Sequence, residues 1–144
     1  MESTMDNVGM RQWGLTILRV VVGLVFTAHG CQKLFTFGIP SVVQMFGHMG
    51  IPAASVLAPF VTLLEFVGGI LLVVGLLTRW VALLLAIDML VAVLKVHLAG
   101  GFFLPRGYEF ALTLLAASVA LALAGPGAPA LDGIIRRRSM HPAP

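Results

Sequence analysis

Hydrophobic residues run almost unbroken through four stretches of the chain, about 13–35, 53–77, 80–98 and 108–124, each long enough to be read as a helix crossing a bilayer. The breaks between them differ in kind. Thr36 to Pro52 holds two Gly-Ile-Pro steps around Ser41 to Gly50, where Val42, Val43, Phe46 and Met49 can line one helical face. That pattern predicts a short re-entrant or interfacial helix between helices one and two. Thr78-Arg79 is so short a turn that helices two and three must run antiparallel. Ala99 to Gly107 is a glycine-rich aromatic loop, and Gly125-Pro126-Gly127 stops helix four ahead of a basic tail, 126–144. Residues 1–12 are polar and read as a loose lead-in. The expected architecture is an all-α, four-helix transmembrane bundle forming a single domain over 1–144.

The polar positions inside these runs carry the interest. In helix one, Arg19, Gly23, Phe26, Gly30 and Lys33 recur at intervals of four and three and so fall on one stripe. His29 lies beside that stripe, and Cys31 points well away from it. In helix two, Ala58, Thr62, Glu65, Gly69 and Leu72 repeat the spacing. Charged groups near the middle of a bilayer cost roughly 2.5–3.5 kcal/mol each by insertion scales, so they are expected to face protein. Glycines on the same stripes remove side chains where another helix must approach. The stripe of helix one is thus read as the inner seam of the bundle. In helix three, Asp88 and Lys95 are seven residues apart and share a face if the helix is regular, with His97 on the opposite side. Glu109 falls in the first turn of helix four, where the helix dipole favours an anion.

Composition agrees with membrane insertion. Of 144 residues, 59% are hydrophobic and only 10% charged, against roughly 25% charged in an ordinary soluble domain. The formal net charge of +3 does not imply nucleic acid, because the basic residues sit at helix ends and in Arg136-Arg137-Arg138. Arg11, Arg79 and that cluster fall on one side of an even number of spans, with Lys33, Arg106 and Lys95 toward the other, which predicts that both termini are cytoplasmic. Helix one is too long for a signal-peptide core and contains Arg19, so it is expected to be retained. A single cysteine excludes an internal disulfide or a Cys-x-x-Cys centre.

Within the spans Arg19, Lys33 and Lys95 face Glu65 and Asp88, and the surplus cation can be relieved by Lys33 or Lys95 reaching the outer interface. One reading pairs Arg19 with Glu65 or Asp88 simply to hold the bundle together. The other makes Glu65 and Asp88 proton-exchanging carboxyls, with Arg19, His29, Lys33, Lys95 and Glu109 as ligand partners, since intramembrane ionisable groups often mark a site. His29, His48, His97 and Glu65 lack metal-ligand spacing on any one helix, so no metal is expected. No nucleophile signature or Gly-x-Gly-x-x-Gly cradle is legible either.

Taken in order, Leu18-Arg19 with Gly23, Phe26, His29-Gly30 and Lys33-Leu34; Gly50-Ile-Pro52; Glu65-Phe-Val-Gly-Gly69 with Gly75-Leu-Leu-Thr-Arg79; Gly101-Phe-Phe103; Gly107-Tyr-Glu109; and Ala124-Gly-Pro126 with Leu131-Asp132 give a chain that resembles the DoxX family of small bacterial membrane proteins. The resemblance implies a four-helix membrane protein. It also implies redox work in some relatives, one being a subunit of a thiosulfate:quinone oxidoreductase and others being linked to oxidative-stress complexes. Arg19, His29, Lys33, Glu65, Arg79 and Glu109 are the polar residues it carries over; Asp88 and Lys95 rest on the helical-face argument alone.

These observations support an expectation of a redox-associated membrane subunit binding a lipophilic compound such as a quinone in the bundle interior, with no intrinsic cofactor. Two other functions fit the sequence: a non-catalytic scaffold recruiting an oxidoreductase or oxidative-stress enzyme, and a small-solute transporter. The expected partners are the lipid bilayer and a membrane or peripheral redox protein, and self-association into a homo-oligomer stays open.

Overall fold

The computed structural model describes residues 2–140, with side chains from Asn7 to Ile135. The arginine cluster at 136–138 lies outside the described side chains. The chain forms α1 (Glu2–Cys31), α2 (Ile39–His48), α3 (Ala54–Val74), α4 (Thr78–Val91), α5 (Glu109–Ala124) and α6 (Leu131–Met140), and no strand is found among the described residues. Three apolar helical runs are long enough to cross a membrane: Asn7–Phe37, Ala54–Val74 and Thr78–Gly100. At 16 residues α5 is shorter, roughly 24 Å at 1.5 Å per residue. It lies along α4 as the fourth member of the bundle.

The four helices form a closed ring in the order α1, α3, α4, α5, with α2 resting on α3 at one end. Their shared core includes Val22 and Phe26 of α1, Leu72 of α3, Leu85 and Met89 of α4, and Leu114 and Leu121 of α5. The helix boundaries follow the hydrophobic pattern closely, with two differences. Residues 2–12 are not a loose lead-in but the first turns of α1; nothing in them breaks a helix, and the first proline of the chain is Pro40. Part of the tail, 131–140, also forms a helix.

Close approach of α1 and α3 rests on glycine. A Cβ on Gly23 would lie 2.7 Å from the Gly69 carbonyl oxygen, and one on Gly30 would overlap the backbone of Phe66. Those contacts fix an antiparallel register in which Arg19 stands opposite Leu72 and Val73, while Lys33 stands opposite Glu65. Gly30→Ala is therefore expected to force the helices apart and to cost about 1–3 kcal/mol, as overpacking of a tight contact does. Thermal unfolding in detergent checks it: a variant as stable as the wild-type protein would contradict the contact.

At the opposite end from α2, four segments are tied together. The Arg19 guanidinium donates to the carbonyls of Leu72 (2.9 Å), Val73 (3.1 Å) and Pro129 (2.8 Å). It thereby caps the C-terminus of α3, whose last carbonyls have no partner within the helix. Thr16 donates to the Ala128 carbonyl at 3.0 Å. The backbone N–H groups of Leu77 and Thr78 donate to the Asp132 carboxylate at 2.7 and 3.0 Å. The residue preceding α4 is Leu77, which has no capping side chain of its own, so Asp132 supplies that cap from the far end of the sequence.

Candidate functional site

Two helices lose regular α geometry at the α2 end of the bundle. α1 runs into a π-helical turn over Gln32–Phe37, and α4 into another over Ala92–His97, followed by a 3-10 turn at Leu98–Gly100. A π turn is wider than an α turn, so each residue beyond it is rotated back from its regular position. On α1 the π turn carries Lys33. On α4 it carries Lys95 and His97.

Between these turns lies a cavity of about 480 Å³. Phe26, His29 and Lys33 line it from the α1 side, Leu57 to Glu65 from α3, Leu84 to His97 from the α4 side, and Phe110, Ala111 and Leu114 from α5. Val42, Met45, Phe46 and Met49 close it from α2 and the residue beyond. The apolar face expected for the short helix is thus the roof of the cavity. Flanking α2, Gly38 and Gly50 adopt φ of 77° and 69°, values that favour glycine and let the chain turn sharply on and off this roof.

The lining is apolar except for one cluster. Lys33 Nζ lies 2.7 Å from both carboxylate oxygens of Glu65, hydrogen-bonded through Oε1. The Glu65 side chain is only 4% exposed and that of Lys33 24%. Asp88 lines the same cavity, and its Oδ2 is buried without a donor. His29 and His97 face the same space from α1 and α4, the His29 ring lying 5.9 Å from that of Phe110.

The structure therefore brings Glu65, Asp88, Lys33 and His29 together and leaves three expected partners elsewhere. Arg19 does not pair with Glu65 or Asp88, because the helix register sets it against the C-terminus of α3; Lys33 takes that place and turns inward to Glu65 instead of reaching the interface. Lys95 lies on the outside of the bundle and does not share the cavity face with Asp88. The π turn that displaces it carries His97 into the lining, a residue that regular helical geometry places on the opposite side. Glu109 does not line the cavity either: its Oε1 accepts a 2.7 Å bond from the Leu104 N–H and organises the aromatic loop around Phe102 and Tyr108.

A family model described as DoxX matches residues 14–98, which takes in the later part of α1, all of α2 to α4, and the Lys33, Glu65 and Asp88 cluster. The chain belongs to the DoxX family. This DoxX chain is 36% identical over 122 residues to a Bacillus subtilis (strain 168) protein named "Putative oxidoreductase CatD", covering 85% of the chain and 87% of that relative. It is 35% identical over 133 residues to "Uncharacterized membrane protein Rv3486" of Mycobacterium tuberculosis (strain ATCC 25618 / H37Rv), covering 85% and 81%. It is 30% identical over 131 residues to "Inner membrane protein YqjF" of Escherichia coli (strain K12), covering 87% and 94%. No solved structure matches.

Proposed function

We propose that this DoxX protein binds a lipophilic carbonyl compound of the quinone class in its interior cavity and serves as the membrane subunit of an oxidoreductase. The observation that carries the reading is the cluster of Lys33, buried Glu65 and Asp88 set into a largely apolar cavity between membrane-spanning helices. Few precisely placed polar groups in an apolar pocket are what orient a lipophilic ligand. Lys33 donates to a carbonyl oxygen, and the two carboxyls hold and exchange the proton that a quinone oxygen takes up on reduction or loses on oxidation. The electrons come from a partner, since the sequence carries no dinucleotide fingerprint and no dithiol. The name of the Bacillus subtilis relative agrees with redox work.

Mass spectrometry of lipid extracts and proteins that copurify in mild detergent tests this reading. A stoichiometric quinone is the expected result. A stoichiometric redox enzyme without a quinone supports a scaffold in its place, and the absence of both contradicts the proposal.

The same reading places the cavity in the outer half of an inner membrane, with both termini cytoplasmic. Supporting it, the capped end of the bundle gathers Thr16, the turn before α4 and the segment after α5 on one side. Arg79 lies beside Gly125 at that end. Reporter fusions within Thr36 to Pro52 are expected to be active outside the cytoplasm and fusions after Pro144 inside it. An externally active C-terminal reporter would reverse the assignment.

A further inference from the structure

Residues lining the cavity reach the outside of the bundle at more than one seam. α1 and α3 are closed against each other along their glycine seam and through the Lys33 to Glu65 ion pair. α4 and α5 pack along their lengths. At the α1 and α5 seam the exposed lining residues are His29 and Phe110, one of them polar, whose ring centroids stand 5.9 Å apart across it. α3 and α4 differ: near their connecting turn they touch where Gly68 meets Val81 and Leu85. Further from the turn, both contribute large apolar side chains that line the cavity and at the same time reach the outside of the bundle. These are Phe60 on α3 and Leu84, Ile87 and Val91 on α4, between 41% and 53% exposed. The α3 and α4 seam thus carries only apolar exposed lining residues at the level of Asp88.

We infer that the gap between α3 and α4 is the lateral entry to the cavity, and that the ligand is a single-chain amphiphile whose polar head reaches Lys33, Glu65 and Asp88 while its hydrocarbon chain leaves through this gap into the bilayer. The inference rests on the ligand site proposed above and adds the direction of entry and the shape of the ligand. Lys33 and Glu65 lie on the α1 and α3 side and Asp88 on α4, whereas Phe60, Leu84, Ile87 and Val91 at the gap are all apolar, so the two ends of such a molecule meet matching surroundings. Opening laterally inside the span lets the chain stay in hydrocarbon throughout binding.

The probes are a 1,4-benzoquinone with a ten-carbon chain ending in a diazirine, and the same ring without a chain, both added to the full-length protein in lipid nanodiscs. Photolysis of the chain probe is expected to label peptides covering 57–61 and 84–91, with labelling competed by the chainless ring. Ile87→Trp and Val91→Trp, which add bulk on the outer face of the gap, are expected to weaken the chain probe at least tenfold and the chainless ring less than twofold. Leu112→Trp, on the exposed face of α5 and outside the cavity lining, should change neither probe.

Labelling centred on 21–29 or 110–114, or equal loss of both probes in the tryptophan variants, overturns the lateral entry while leaving the ligand site standing. Tryptophan variants that bind the chain probe as the wild-type protein does overturn the entry in the same way. Failure of both probes to bind the wild-type protein overturns the ligand site and the entry with it.

Discussion

Replacing Lys33 with methionine is expected to destabilise the folded protein by about 3–5 kcal/mol, the usual range for breaking a buried ion pair from one side. The reason lies with the partner left behind. Glu65 is 4% exposed and its carboxylate has Lys33 as its ion partner among the described residues, with Asp88 in the same cavity wall. Without the ammonium, the Glu65 carboxylate stands in an apolar wall with its charge uncompensated. Lys33→Met combined with Glu65→Gln removes both charges and is expected to recover much of the loss, because the burden is the orphaned partner rather than the lost attraction. Reversible unfolding of the four proteins of this cycle in mixed micelles, followed by circular dichroism, measures the coupling. Additive single losses, with no recovery in the double variant, would show that the two side chains act independently.

Arg19→Gln is the second large effect, and it should separate architecture from site. The guanidinium serves three carbonyls on two elements, Leu72 and Val73 at the end of α3 and Pro129 ahead of α6. Hydrogen bonds to charged groups contribute about 1.5–3 kcal/mol each and do not add fully, so a loss of about 3 kcal/mol is expected. Arg19→Lys should recover only part of it, because an ammonium lacks the planar fork that spans the carbonyls. In contrast to Lys33→Met, the folded fraction of Arg19→Gln should bind the chain-bearing quinone with wild-type affinity, since Arg19 does not line the cavity. Loss of binding in protein that is still folded would place Arg19 in the ligand site after all.

These two residues also mark what the sequence makes legible. The stripe Arg19, Gly23, Phe26, Gly30 and Lys33 identifies the buried face of α1, and Ala58, Thr62, Glu65, Gly69 and Leu72 that of α3, because a 3.6-residue period projects directly onto a helix surface. Periodicity does not fix the register between two helices. Only the contacts of Gly23 with Gly69 and of Gly30 with Phe66 decide that Glu65 meets Lys33 rather than Arg19. The two π turns have no sequence signature, and one of them reverses the readings of Lys95 and His97. Asp132 is legible only as part of the family-like Leu131-Asp132 step, since its role as the cap of α4 depends on the chain returning past Gly75, whose carbonyl accepts from the Asp132 N–H at 2.9 Å. The roof formed by α2 was legible as an apolar face, but not what that face covers.

The most direct test of the ligand site is the affinity of the chain-bearing quinone for Asp88→Asn in lipid nanodiscs. This near-isosteric change removes the carboxyl proposed to exchange protons and leaves the Lys33 to Glu65 ion pair in place, so the protein should fold normally. The expected result is binding at least tenfold weaker than wild type with an unchanged unfolding temperature; wild-type affinity in a folded Asp88→Asn protein would contradict the role assigned to the cluster.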